Sequence, residues 1–172
     1  MATRQKEEKK QDIGKVKINR DVKLPTYPFT RIFKGFGRVK AIRRVFGKDT
    51  TKVLSRLRVA LYSSKWGGYM WIDDKNKCLV CNIDYLRTAD KRYLYLDIIH
   101  ELVHIKQMLE GKELFDENYA YTNRPTEKEA YNTAVDEAKR LGMSKKEIID
   151  YLEVEWISKK EFQKFLKRFD LS

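Results

Sequence analysis

Residues 90–110 read DKRYLYLDIIHELVHIKQMLE, and this stretch decides how the rest of the chain is interpreted. Apolar side chains recur on most sides of the helix that this spacing predicts, so we expect a long, buried and central helix. Gly111 marks its end, because glycine adopts the left-handed conformation of a C-terminal cap without strain. The two histidines of this stretch are the only ones in the chain. Two polar imidazoles within an apolar helix need a chemical explanation.

The residues His100-Glu101-Leu102-Val103-His104 form an HExxH motif on this helix. Side chains four residues apart lie on one helical face, so both imidazoles can reach a single metal ion. Glu101 is offset by one position and can approach a water molecule that zinc has made acidic. The motif therefore predicts one zinc ion per chain, with Glu101 as the catalytic base. The alternative is two histidines that merely form hydrogen bonds on a helix surface.

A catalytic zinc needs a third protein ligand, and the chain has no third histidine to supply it. The ligand must then be a carboxylate, or less readily a cysteine. Glu127 and Glu129 lie 23 and 25 residues after His104, a distance that suits a loop and a returning helix. Glu127 falls on the apolar stripe of the next helix, whereas Glu129 is about 100° away and fits a capping box with Thr126. We therefore favour Glu127, with Glu129 as the alternative and Glu137 third.

The segments around the central helix predict both strands and helices. Residues 69–73 and 78–83 indicate a β-hairpin around the turn DKNK, and residues 53–62 indicate a further strand. Residues 112–125 indicate a tyrosine-containing loop, after which Thr126 opens a helix. Strands followed by a run of helices are typical of the α+β class.

Two short helices are predicted at the C-terminal end. Residues 143–152, MSKKEIIDYL, align with residues 157–166, ISKKEFQKFL. Each segment begins with a serine cap that is followed three residues later by glutamate. We expect residues 143–172 to form two capped helices that pack on the preceding domain, residues 27–142. The alternative is a small binding appendage.

Positive charge is concentrated at the start of the chain. Residues 1–60 carry 18 Lys and Arg against 5 Asp and Glu, whereas the remaining residues carry 19 against 20. This asymmetry favours nucleic acid or another polyanion as a partner, and the alternative is a solubilising segment without one. We expect a flexible basic tail over residues 1–26. Residues 38–48 predict an amphipathic basic helix whose candidate polyanion contacts are Arg38, Lys40, Arg43 and Arg44.

The motif HELVH on a helix after a β-hairpin, with EKEAYNTA on the next helix, resembles the minimal gluzincin metallopeptidases. Within that group it is similar to the archaeal minigluzincins and the ImmA/IrrE type, over roughly residues 53–141. The resemblance implies a zincin-like domain in which a small twisted, mostly antiparallel sheet packs on the motif helix. It implies a zinc ion held by His100, His104 and a glutamate, and peptide hydrolysis with Glu101 as general base. The basic first third and the repeated C-terminal helices lie outside the family pattern.

Three further residues are weaker candidates for the same site. Asp97 lies one turn before His100 on the same face and could orient an imidazole, although solvent exposure is the alternative. Tyr119 and Tyr121 lie in the loop between the two ligand-bearing helices. Either could donate a hydrogen bond to the oxyanion of a tetrahedral intermediate, although simple packing is the alternative.

The sequence thus predicts a zinc metallopeptidase that acts on peptide or protein substrates. Two alternatives stay open: a module that docks its basic third on nucleic acid with little or no peptidase activity, and a latent enzyme whose N-terminal segment covers the cleft. No apolar run approaches the ~18 residues of a membrane helix. The first residues also lack the hydrophobic stretch of a secretory signal, so we expect a cytoplasmic protein without a membrane span.

Overall fold

The computed structural model describes residues 13–23, 25–65 and 68–172 and has an α+β architecture. A long central helix contacts the sheet, the basic helix before it and the long helix after it. The strands are β1 Lys17–Ile18, β2 Thr26–Pro28, β3 Phe33–Lys34, β4 Arg58–Tyr62, β5 Met70–Asp73 and β6 Cys78–Asn82. The helices are α1 Phe29–Ile32, α2 Lys40–Phe46, α3 Thr50–Arg56, α4 Ile83–Thr88, α5 Lys91–Leu109, α6 Pro125–Arg140, α7 Lys145–Leu152 and α8 Lys159–Lys167.

Four strands form one sheet in the order β2-β4-β6-β5. The predicted hairpin is present as β5 and β6, and β5 occupies the edge of the sheet. β6 therefore pairs on its other side with β4, in parallel, with Val59 opposite Leu79. β2 is antiparallel to β4, and β1 is antiparallel to β3 in a separate two-stranded ladder. The expectation of a mostly antiparallel sheet thus holds for every described strand pair except the central one.

The strand predicted over residues 53–62 is only half correct. The helix α3 takes up the first part of that range, and β4 takes up the second. Leu54 and Leu57 are both buried and lie three residues apart, which suits one face of a helix. The alternation of buried and more exposed side chains that is typical of a strand starts only at Val59. One apolar segment therefore contained two different elements.

The central helix α5 is buried along almost its whole length, as predicted. The Asp90 side chain caps its N-terminus by accepting a hydrogen bond from the Arg92 backbone N–H. Gly111, with φ of +76°, follows the helix in the left-handed conformation. The fully buried apolar side chains of α5 include Leu94, Tyr95, Leu96, Ile98, Ile99 and Leu102. The polar side chains of His100, Glu101 and His104, near the middle of this helix, are consequently almost entirely removed from bulk water.

The helix α6 begins at Pro125, with Arg124 as its N-cap residue, so the predicted capping box of Thr126 and Glu129 is wrong. Proline suits the first helical position, because the N–H that it lacks would have no partner there. The Thr126 hydroxyl donates instead to the carbonyl of Leu114, at 3.3 Å. The apolar stripe is as predicted, and its fully buried members are Ala130, Ala134 and Ala138.

The helices α7 and α8 begin where the repeated sequence predicts. Ser144 and Glu147 form a complete capping box. Ser158 accepts a hydrogen bond from the Glu161 backbone N–H, but the Glu161 carboxylate accepts one from Thr122 instead of closing a second box. Both segments contribute to the same hydrophobic core as the central helix, through Met143, Ile148, Leu152, Phe165 and Leu166. They therefore pack on the preceding elements.

The predicted flexible tail is not supported where the structure describes it. Residues 1–12 lie outside the described residues, but residues 13–23 pack on the rest of the protein. Val16 is fully buried, and β1 pairs with β3. The Arg20 guanidinium donates hydrogen bonds to three backbone carbonyls of residues 86–89. Apolar residues spaced among the lysines anchor this segment despite its charge.

No helix in the described part of the chain is long and apolar enough to cross a membrane. The longest helix, α5, has 19 residues. It carries charged side chains at both ends and the HExxH motif near its centre.

Candidate metal centre

Three buried side chains from two helices converge at one point. His100 and His104 lie one turn apart on α5, and their Nε2 atoms are 3.0 Å apart. Glu127, in the first turn of α6, has Oε2 at 3.2 Å from His100 Nε2 and Oε1 at 3.5 Å from His104 Nε2. Each of the three residues is only 6% exposed. Their ligand atoms all lie within 4.8 Å of one another, so this cluster could hold a metal ion.

The packing of α6 on α5 explains why Glu127, and not Glu129, faces the histidines. Glu127 precedes Ala130 by three residues and therefore shares its buried face. Glu129 lies at the side of the helix, where its carboxylate is 3.3 Å from Lys106 Nζ and 3.1 Å from Lys112 Nζ. Glu127, the glutamate that the sequence favours, thus belongs to the cluster, whereas Glu129, the alternative, lies outside it.

Gln107, which the motif alone does not single out, fixes the orientation of His104. Its amide Nε2 donates to the Thr126 carbonyl at 3.0 Å and to Glu129 Oε2 at 2.9 Å, which leaves Oε1 as an acceptor. His104 Nδ1 lies 2.7 Å from that oxygen and must be the donor. The lone pair of the neutral imidazole is therefore on Nε2, which faces Glu127. Gln107 follows His104 by three residues, so helical spacing could have indicated it.

Glu101 lies beside the cluster without joining it. The residue is 8% exposed, and its Oε2 has no hydrogen-bond partner among the described residues. Burial raises the pKa of Glu101 to about 8, because removal from water disfavours the charged carboxylate, while the nearby His104 acts in the opposite direction. An unpaired buried carboxylate is costly for folding and is common at functional sites.

The charges within the cluster are coupled. Burial opposes the charged form of Glu127, but the contacts with both histidines outweigh it and lower the pKa of Glu127 below its ordinary value. Burial also opposes protonation of His104, yet the contact with Glu127 raises the pKa of His104 to about 9. For His100 the effect of burial dominates and lowers the pKa. A metal ion bound here would displace any proton that the two histidines and Glu127 share.

Of the two candidate tyrosines, Tyr121 lies at the site and Tyr119 does not. The Tyr121 hydroxyl is 2.9 Å from the hydroxyl of Tyr131, whose ring centroid is 4.3 Å from that of His100. Burial raises the pKa of both phenols far above neutrality, so both stay protonated. Tyr119 is 46% exposed on the loop surface, and its candidacy is not supported. Tyr131 follows Glu127 by four residues on one face of α6, a spacing that could have indicated it.

Asp97 does not orient an imidazole, so that prediction is wrong. Its carboxylate accepts hydrogen bonds from Tyr85 and Tyr151, whereas His100 Nδ1 has no partner among the described residues. Burial raises the pKa of Asp97 to about 6, and the two phenol donors partly oppose this shift. Asp97 therefore belongs to a group of tyrosines beside the cluster.

Glu101 and His100 line two adjoining cavities. The first, here called the cluster cavity, has a volume of about 290 Å³ and also reaches His104 and Glu127. The second, called the tyrosine cavity, has a volume of about 260 Å³ and reaches Asp97. Trp156 is among the other residues that line both. A larger groove of about 630 Å³ lies beside α2 and α3 and contains no residue of the cluster.

The predicted basic helix is present but shorter than residues 38–48. It consists of α2 with a single 3₁₀ turn on either side. Val39 and Ile42 are fully buried and attach it to the core. The candidate polyanion contacts are all exposed, namely Arg38, Lys40, Arg43 and Arg44.

Comparison of the chain with known proteins found no match. No protein-family model, no curated protein and no solved structure matches the chain. The resemblance to the minimal gluzincins therefore rests on the motif residues themselves.

Proposed function

We propose that this protein is a zinc-dependent metallopeptidase that hydrolyses peptide bonds. The observation that carries the proposal is the convergence of His100, His104 and Glu127, with the unpaired carboxylate of Glu101 beside them. Two imidazoles and one carboxylate leave the fourth position of a tetrahedral site open. An open position is typical of catalytic zinc, whereas structural zinc is enclosed by four protein ligands.

The distances among the ligand atoms suit a small tetrahedral ion. Zinc binds imidazole nitrogen and carboxylate oxygen at about 2.0–2.2 Å, which separates the ligand atoms of a tetrahedron by about 3.3–3.6 Å. The two imidazole Nε2 atoms are 3.0 Å apart, and each lies near one oxygen of Glu127, His100 at 3.2 Å from Oε2 and His104 at 3.5 Å from Oε1. Calcium, which takes six to eight oxygen ligands, suits this donor set poorly.

Glu101 is suited to move protons during hydrolysis. A bound zinc ion would polarise the scissile carbonyl and acidify a water molecule. The Glu101 carboxylate accepts the proton of the water that attacks the carbonyl carbon, and later delivers it to the departing amine. Its Oε2 has no competing hydrogen bond among the described residues. Burial disfavours the ionised carboxylate that this role needs, and the nearby His104 favours it.

The hydroxyl groups of Tyr121 and Tyr131 can supply a hydrogen-bond donor for the oxygen of the scissile carbonyl. Their hydroxyls bond to each other at 2.9 Å, and only one hydrogen can lie between the two oxygens. The second hydroxyl hydrogen takes no part in that bond and can be donated to a substrate. A fixed donor at the oxygen where negative charge develops stabilises the transition state.

Cleavage of an unfolded protein tests this proposal. We expect purified protein to hold about one zinc ion per chain, because a single three-ligand site binds one ion. We also expect it to cleave a reduced and alkylated protein substrate into peptides. A chelator should abolish cleavage, and added zinc should restore it. Mass spectrometry of the products and elemental analysis of the protein provide the readouts. Protein made with ample zinc that holds no metal, or that leaves the substrate intact, contradicts the proposal.

A second candidate function is nucleic-acid binding through the exposed cations of the basic helix. The specific observation in its favour is that Arg38, Lys40, Arg43 and Arg44 all face solvent while the apolar side of their segment is buried. This function is compatible with peptidase activity, since the cations lie outside both cavities.

Salt dependence distinguishes phosphate contacts from chance adsorption. If the basic helix binds DNA, affinity should fall linearly on a log–log plot against salt, and replacing Arg43 and Arg44 by Gln should reduce the slope by about 2. The matched control replaces Lys159 and Lys160, two exposed cations of α8, by Gln. Filter-binding titrations of duplex DNA at several salt concentrations measure the salt slope of each variant. Equal slopes for the two variants would argue against the basic helix as the contact.

A further inference from the structure

Aromatic side chains form much of the wall of the tyrosine cavity. Its lining includes six tyrosines from six segments of the chain: Tyr69, Tyr85, Tyr93, Tyr121, Tyr131 and Tyr151. Trp156 adds a seventh ring and is 52% exposed at the mouth. Such a wall offers the negative faces of π-systems to whatever enters.

The rings touch one another in a continuous chain. Tyr69 packs on Tyr85 with 4.7 Å between ring centroids and on Trp156 with 6.2 Å. Trp156 in turn lies 5.8 Å from Tyr121, which lies 6.3 Å from Tyr131. Because Tyr131 packs on His100, the aromatic wall extends from the protein surface to the metal cluster.

The polar groups of this cavity are acidic. Asp97 lies in its wall, held by the hydroxyls of Tyr85 and Tyr151. Asp150 and Glu153 lie exposed at its rim, and no Lys or Arg is among the described residues that line it. The cluster cavity, in contrast, includes Arg124.

The unpaired oxygen of Glu101, already assigned to the proposed hydrolysis, also lies at this acidic, aromatic space. Glu101 lines it, is more than nine-tenths buried and has an Oε2 without a hydrogen-bond partner among the described residues. The protein as a whole carries a net charge of +12, so the negative character of the cavity is a local feature.

We propose that the tyrosine cavity binds the cationic side chain of a lysine or arginine next to the peptide bond that is hydrolysed. This inference rests on the proposed peptidase function and names its substrate class. Ammonium and guanidinium groups bind to tyrosine and tryptophan faces, and carboxylates complete their pairing. The volume of about 260 Å³ is below the 300–1,000 Å³ of drug-sized sites and suits one side chain.

Other side chains fit this chemistry less well. A neutral apolar side chain would remove water from Asp97 and Glu101 without replacing the lost hydrogen bonds. An acidic side chain would meet three carboxylates of the same sign, at Asp97, Asp150 and Glu153.

Binding of single-residue probes tests the inference without requiring turnover. The probes are the acetylated amides of arginine, lysine and norleucine, of which norleucine is the neutral control of similar length. We expect NMR titration of the zinc-loaded protein to give an about tenfold smaller Kd for the two cations, the scale of a desolvated cation–π contact. Replacing Asp150 by Asn and Glu153 by Gln should weaken this preference, because two carboxylates that attract the cation are lost while the rings and Asp97 remain. The matched control replaces Asp136 and Glu117, exposed carboxylates outside the cavity, in the same way.

The outcomes separate the inference from the proposed function. Preferential binding of the cations by a protein that cleaves nothing supports the cation site and overturns the peptidase proposal. Cleavage of unfolded protein, together with equal binding of arginine and norleucine amides or no binding of either, overturns the cation site alone. A preference that is undiminished in the Asp150 and Glu153 variant also overturns it. Cleavage products whose new termini are enriched in Lys or Arg support both.

Discussion

Replacement of Glu101 by Gln is expected to reduce peptide hydrolysis by about 10²- to 10⁴-fold, the usual contribution of a positioned acid–base group. The amide has the size and shape of the carboxylate but cannot accept the proton of the attacking water. Zinc content should stay unchanged, because Glu101 is outside the His100, His104 and Glu127 cluster. Rates of cleavage of an unfolded protein, measured beside elemental zinc analysis, check both parts of this expectation.

The matched control is Glu110→Gln, the same chemical change at a residue that immediately follows α5. Its carboxylate is 43% exposed and pairs with Lys106 and Lys112, so its replacement should leave turnover unchanged. Hydrolysis that persists in Glu101→Gln at the wild-type rate would show that another group moves the proton. Thermal unfolding of both variants identifies any loss that merely reflects misfolding.

Replacement of Glu127 by Gln is expected to lower zinc affinity by more than about 100-fold, whereas Glu129→Gln should lower it by no more than about tenfold. Outer groups that orient a ligand typically contribute 10- to 100-fold, and loss of a ligand exceeds that range. Glu129 affects the zinc site only indirectly. It accepts a hydrogen bond from Gln107, and Gln107 in turn holds His104 in position. Zinc titrations in competition with a chelator of known affinity measure these constants.

The control for this comparison is His104→Ala, which removes a ligand outright and should resemble Glu127→Gln. If Glu129→Gln were the weaker zinc binder of the two glutamate variants, the third ligand would be assigned to the wrong glutamate. Equal affinities for wild type and both variants would remove glutamate from the site altogether.

The prediction of Glu127 was correct in placement, although part of its reasoning was wrong. The apolar stripe of α6 placed Glu127 on the buried face, and local periodicity suffices for that conclusion. The same reasoning assigned Glu129 to a capping box that is absent, because α6 begins with Pro125. The actual partners of Glu129 are Lys106, Gln107 and Lys112. These partners are 17 to 23 residues away in sequence. Helical periodicity and capping patterns do not predict contacts at that separation.

The strand predicted over residues 53–62 failed for a related reason. A short apolar run fits a helix and a strand almost equally well, and the choice depends on what packs against it. Here α3 packs beside α1 and α2, while β4 is held between β2 and β6. The parallel pairing of β4 with β6 likewise depends on β5 taking the edge of the sheet.

The sequence by itself determined the features that depend on spacing along one helix. These are the extent and burial of α5, the shared face of His100 and His104, the offset of Glu101 and the buried face of Glu127. Only the tertiary structure decided which side chains from separate segments meet: the contacts of Gln107 with Thr126 and Glu129, and the hydrogen bond of Tyr85 to Asp97 beside the cluster. A helix repeats every 3.6 residues whatever surrounds it, so its faces can be read from a sequence. Contacts between residues of separate segments depend on how whole helices and strands pack together, and the local sequence pattern does not predict that packing.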